Sequence, residues 1–77
     1  MKYIILDLNG IEASIIFDEL LQHIDVAKGV MAKGKVVAAG FCNAGQTEVW
    51  GKSVSLGIGN RGIDDVCVFE SSMAHRI

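Results

Sequence analysis

No proline occurs in the chain, so none of its 77 residues denies a backbone N–H to a sheet ladder or breaks a helix by ring sterics. Cysteine appears only twice, as Cys42 and Cys67, too few for a disulfide scaffold and without the paired spacing of a structural metal site. Both are read as buried thiols. Lysine and arginine total seven against nine acids and form no block, which removes the long-range attraction behind nonspecific nucleic-acid binding. Nucleic acid is therefore a disfavoured partner. No apolar run approaches the ~20 residues of a membrane span, and the N-terminal stretch reaches Asp7 too soon for a signal peptide. The expectation is a cytoplasmic protein with no membrane partner.

What the chain has in excess is apolar surface, 51% of its residues being hydrophobic and only 21% charged. One domain spanning residues 1–77 is all this length can build, and a domain of this size buries only roughly 60–65% of the surface its unfolded chain exposes. The remainder needs a cover. A second copy of the chain is the simplest one, so a homo-oligomer is expected, with a twofold dimer first and a heterologous protein partner as the alternative.

Asn9-Gly10 sits between two strand-like runs, Tyr3 to Leu8 and Ile11 to Phe17, and this pair best tolerates the two positive φ angles of a type I′ turn. The register predicted for a two-residue turn sets Leu8 opposite Ile11, Leu6 opposite Ala13 and Ile4 opposite Ile15, an apolar face destined for the core. Its reverse pairs Asp7 with Glu12, Ile5 with Ser14 and Tyr3 with Ile16, and reads as half covered. The two carboxylates lack further oxygen ligands for a cation and are expected to remain solvated.

Beyond Phe17 the period changes, with Leu20, Leu21, Ile24 and Ala27 on one stripe, which predicts an amphipathic helix over about 18–28 with Asp18 as N-cap. His23 falls off that stripe and reads as solvated or capping. A second hairpin follows, from Lys35 to Cys42 and from Thr47 to about Leu56, in which Cys42 would face Thr47. Gly40, Ala38 and Gly51 would then form a smooth face open to close backbone approach. In Val66 to Phe69 a fifth short strand is read ahead of a helix, and from Ser71 onward a fraying end.

Two phosphate-type patterns are rejected on context. Gly57-Ile58-Gly59-Asn60-Arg61-Gly62 spells G-x-G-x-x-G, but the fifteen residues after it cannot hold a crossover helix and a second parallel strand, so a flexible loop is expected. Gly51-Lys52-Ser53 lacks the earlier glycine of a P-loop and interrupts a strand pattern. Cys42, Cys67, His23 and His75 lack the close ligand pairs of a zinc site, so neither metal nor cofactor is expected.

The segments Ile15-Ile16-Phe17, His23, Ala38 to Phe41 and Gly51 to Gly57 resemble short uncharacterised proteins encoded by bacteriophages and prophages. That resemblance implies an origin and no activity. Where those proteins follow the equivalent of Arg61 with proline and acids, Gly62 and Ile63 stand here.

The fold expected is α+β: two antiparallel β-hairpins flanking one amphipathic helix, as a bent antiparallel sheet or a small barrel, with a fifth C-terminal strand. No nucleophile is paired with a base, which predicts a small non-catalytic homo-oligomeric interaction or structural protein. The alternative is a binding module for an anion, nucleotide or single-stranded RNA. It would use Lys52, Asn60 and Arg61, with Tyr3 or Trp50 as a stacking surface.

Overall fold

The computed structural model describes residues 1–71 together with the backbone of 74–76. It is the α+β fold expected from the sequence, an open, curled sheet with elements packed on both faces. Strands β1 (Lys2–Leu8) and β2 (Ile11–Phe17) form the hairpin in the predicted register, from Leu8↔Ile11 to Tyr3↔Ile16. Asn9 and Gly10 have φ of 56° and 93°, and the Asp7 carboxylate accepts the Gly10 N–H at 2.7 Å. Both central turn positions are thus left-handed, which matches the turn to the twist of its strands.

Antiparallel to the other edge of β1 lies β3 (Lys35–Cys42), with a bulge opposite Ile5 and Leu6. Next to β3 comes β4 (Val49–Trp50), paired Cys42↔Val49 and Phe41↔Trp50. This register is two residues from the expected one, while the alternation of faces is kept. The cause is Asn43, whose Oδ1 accepts the N–H groups of Thr47 and Glu48 at 2.9 and 3.0 Å and so replaces a rung of the ladder with a wider turn. The long second strand expected up to Leu56 also breaks at Gly51 (φ 70°). The chain turns there into a separate ribbon, β5 (Lys52–Ser53) with β6 (Ile58–Gly59).

The first helix is shorter than expected. α1 covers only His23–Lys28, with Gln22 at its N-cap position. Asp18 caps a separate turn, accepting the Leu20 N–H at 2.8 Å, while the Lys2 ammonium takes the Leu21 carbonyl at 2.8 Å. The buried stripe is consequently His23 and Ala27, and Leu20 stands 89% exposed. His23 is a core residue, contrary to the solvated position expected for it.

The largest departure concerns residues 63–70. They form a helix, α2 (Ile63–Glu70), in place of the short strand expected over Val66 to Phe69. Tertiary packing overrides β propensity here, because the reverse face of the hairpin needs cover. Tyr3, Ile5 and Ile16 are fully buried beneath α2, with Phe69 edge-on to Tyr3 at a ring separation of 4.9 Å. That face is therefore enclosed, not half covered. The opposite face buries Ile4, Leu6, Ile15, Phe17, Val36 and Ala39 under Ala27 of α1 and Leu56 and Ile58 of the ribbon. Each of the larger side chains among them contributes roughly 1.5–3 kcal/mol relative to exposure.

The sheet does have a fifth strand, but later in the chain: β7 (Ala74–Arg76) runs parallel to β2, giving the order β4-β3-β1-β2-β7. Of the end expected to fray from Ser71, this stretch is strand, and Ser72, Met73 and Ile77 lie outside the described residues. The two cysteines part company: Cys42 is buried as expected, whereas Cys67 is exposed on α2.

Candidate functional site

The start of α2 gathers a network of polar side chains. Asp65, fully buried in the first turn, accepts at Oδ2 from the Tyr3 hydroxyl and from the Arg61 N–H (2.8 Å), and at Oδ1 from Arg61 Nε (2.8 Å). The other two guanidinium nitrogens of Arg61 grip Glu12 in a two-point pair at 2.9 and 2.7 Å. Four side chains thus tie β1, β2 and α2 together. Burial, reinforced by the Asp65 carboxylate, holds the Tyr3 phenol far above its ordinary range. Arg61 lowers the Glu12 carboxyl, and Glu12 in turn raises the guanidinium. Glu12 is accordingly not the solvated carboxylate that its place near the hairpin tip suggested. Its like-charge conflict with Asp7 is answered by Arg61.

This arrangement accounts for two of the three residues singled out as an anion site. Arg61 is committed to two carboxylates. Asn60 donates to the Gly51 carbonyl at 2.7 Å and accepts the Gly62 N–H at 3.0 Å, so its amide pins the ribbon to the start of α2. Lys52 is exposed on β5, where its backbone pairs with Gly59, and its ammonium has no hydrogen bond or ion pair among the described residues. Of the two stacking candidates, Tyr3 is wholly enclosed and offers no ring face, while Trp50 is 48% exposed. The glycine-rich stretch is an ordered strand-to-helix crossing, not a flexible loop, with Gly57 and Gly62 at φ 67° and 66°. Asp64 and Asp65 bring negative charge to the helix start where a phosphate would lie. Gly51-Lys52-Ser53 runs through β5 and begins no helix.

His23 was not legible as a buried group. Its Nε2 donates to the Gly40 carbonyl at 2.8 Å, and its ring stands edge-on between Phe17 and Phe41 at 5.5 and 5.6 Å. Burial lowers its pKa, against the raising effect of the Gly40 bond and with help from the Lys2 charge. The unfolded chain therefore binds this proton more readily than the folded one. The contribution to stability is complete above the unfolded pKa of about 6.5 and is lost as pH falls below it toward the folded value. Thermal melts between about pH 7.5 and 5 should show a falling Tm, and His23→Gln should flatten that slope. An equal slope in the variant would show that other groups cause it.

Beside this network runs a groove of about 350 Å³, bordered by Thr47, Glu48, Val49 and Trp50 on one side and by Gly62, Ile63 and Val66 on the other. β4 is the last strand on its side of the sheet, and the Asp65 network sets the start of α2 facing it. Two of the border residues, Trp50 and Ile63, are large apolar side chains left in solvent, Ile63 at 70% exposure.

Set against family models, curated proteins and solved structures, the chain matches none. Among the described residues, no helix is long and apolar enough to cross a membrane and no three His, Cys, Asp or Glu side chains cluster as a metal site.

Proposed function

We propose that the chain is a small, non-catalytic interaction protein of the cytoplasm that works by presenting apolar surface to other polypeptides, forming a dimer of itself. The support is not an uncovered sheet face, since α2 closes one face and α1 with the ribbon closes the other. It is what remains outside after both faces are closed. Leu20 before α1, Val54 in the ribbon turn (83% exposed) and Ile63 at the start of α2 stand almost as open as in an extended chain. Such residues cost solubility in a monomer and contribute to association when an isologous partner covers them.

Light scattering on the eluting, untagged protein over a wide concentration range tests this. A mass fixed at twice the 8.3 kDa of the chain is expected. A monomer at every concentration would remove the dimer and leave the apolar positions to a heterologous partner.

A further inference from the structure

The tip of the first hairpin carries a covalent chemistry that the turn itself does not use. In an asparagine-glycine pair the glycine nitrogen can bond to the asparagine Cγ while the side-chain amide leaves as ammonia, and water then opens the cyclic imide to aspartate or isoaspartate. Glycine puts no Cβ in the way of that attack. Of the three asparagines in the chain, Asn43 and Asn60 precede Ala44 and Arg61 and have both ends of their amides hydrogen-bonded. Asn9 differs on both counts. It precedes Gly10, is exposed, and its side chain makes no hydrogen bond among the described residues. The electrophile is thus free, and what the fold withholds is the nucleophile. The Gly10 N–H is donated to the Asp7 carboxylate at 2.7 Å. Ring closure also needs the Gly10 nitrogen eclipsed with the Asn9 Cβ, whereas a type I′ turn, with ψ of roughly +30° at its first central residue, holds the two nearly anti.

We propose that Asn9 is a deamidation site that the native hairpin keeps silent, with Asp7 as the residue that withholds the Gly10 nitrogen, so that conversion of Asn9 records each opening of the tip. The reaction needs no enzyme and no reagent but water. Its isoaspartate product adds a methylene to the main chain inside a two-residue turn whose register sets Glu12 opposite Asp7 and within the grip of Arg61. The modified tip cannot re-form that turn, so a transient opening becomes a lasting one.

Fragment-mass mapping during incubation in mildly alkaline buffer follows the change from amide to acid at residue 9. The reference is a capped hexapeptide with the sequence of residues 7–12, which has the same chemistry and no fold. The intact protein should react about tenfold more slowly or less, because it must wait for local opening. Asp7→Ala should speed the protein about fivefold, the worth of roughly one net hydrogen bond. Asp7→Asn keeps an acceptor for the Gly10 N–H and should stay near the wild-type rate. Asp7 belongs to neither buried cluster, so both variants should keep the wild-type circular dichroism. A protein that reacts as fast as the hexapeptide, or an Asp7→Ala variant no faster than wild type, would overturn the proposal. So would two variants that are both slower, because the carboxylate would then be the base that promotes the attack.

Discussion

Replacing Asp65 by alanine should cost about 3–5 kcal/mol of unfolding free energy, the usual consequence of removing one member of a buried, hydrogen-bonded charge set. For a chain of this length the total is roughly 5–10 kcal/mol, so the variant would sit near the limit of folding. The cost does not come from the Arg61–Glu12 pair, which persists and is one-third exposed. It comes from what Asp65 leaves behind: a fully buried Tyr3 hydroxyl without an acceptor, and the N–H and Nε of Arg61 deprived of theirs. Each orphaned buried group costs about 1–3 kcal/mol. Removing the hydroxyl as well, in the Tyr3→Phe, Asp65→Ala double variant, should therefore recover about 1 kcal/mol relative to the sum of the single changes. Urea titration of the four proteins gives the cycle directly. Strict additivity would show that the hydroxyl and the carboxylate act independently and that the network is incidental.

Gly40→Ala should destabilise the fold by about 2–3 kcal/mol, at the upper end for an overpacked site. A Cβ on Gly40 would lie 2.8 Å from the Trp50 carbonyl oxygen and 3.4 Å from both the Gly51 oxygen and Asn60 Cβ. Two of these neighbours are backbone, so no rotamer change relieves the clash, and the chain at 50–51 must lift from β3. The same movement would strain the His23–Gly40 bond and displace Trp50, changing its emission in the native state. Gly45→Ala is the control: its φ is not left-handed and its nearest neighbour, Asn43 Nδ2, lies 3.9 Å away, so it should be neutral. An equal loss of stability at both positions would show that contact at Gly40 does not set the cost, since the loss of glycine's backbone freedom in the unfolded chain by itself favours folding.

Gly40 also shows how far the sequence could be read. The small-residue face at Ala38 and Gly40 was legible, and so was the expectation that a backbone would approach it. That the backbone is the chain's own, at Trp50 and Gly51, depends on the break at Gly51 and on the wider turn made by Asn43, which no periodicity announces. The first hairpin was legible in full because its turn chemistry and its alternation agree. α2 was not, since Val66, Cys67, Val68 and Phe69 suit a strand locally and become a helix only because Tyr3, Ile5 and Ile16 require a lid. A signal was present in the spacing of Arg61 and Asp65, four apart as on a helix turn, and in the like-charged pair Asp7 and Glu12, which called for a cation from elsewhere. Arg61 answers from 49 residues away. His23 escapes the apolar stripe because its ring is polar, although it is buried between Phe17 and Phe41. Trp50 was noted for its ring, but the groove beside it exists only once α2 is a helix standing next to β4.

The sheet order places β1 in the middle although it is made first. Its turn to β2 closes over two residues, which is the fast, local step of assembly. β3 must return across the loop that carries α1, and the β4 edge, α2 and β7 follow in turn, each laid on a surface that the previous pieces have completed. Along the chain the central strand therefore comes first and the two edges of the sheet, β4 and β7, come after it. β4 and α2, which border the groove, both come later in the chain than the hairpin and β3, so the groove exists only where those earlier elements already hold its two walls apart.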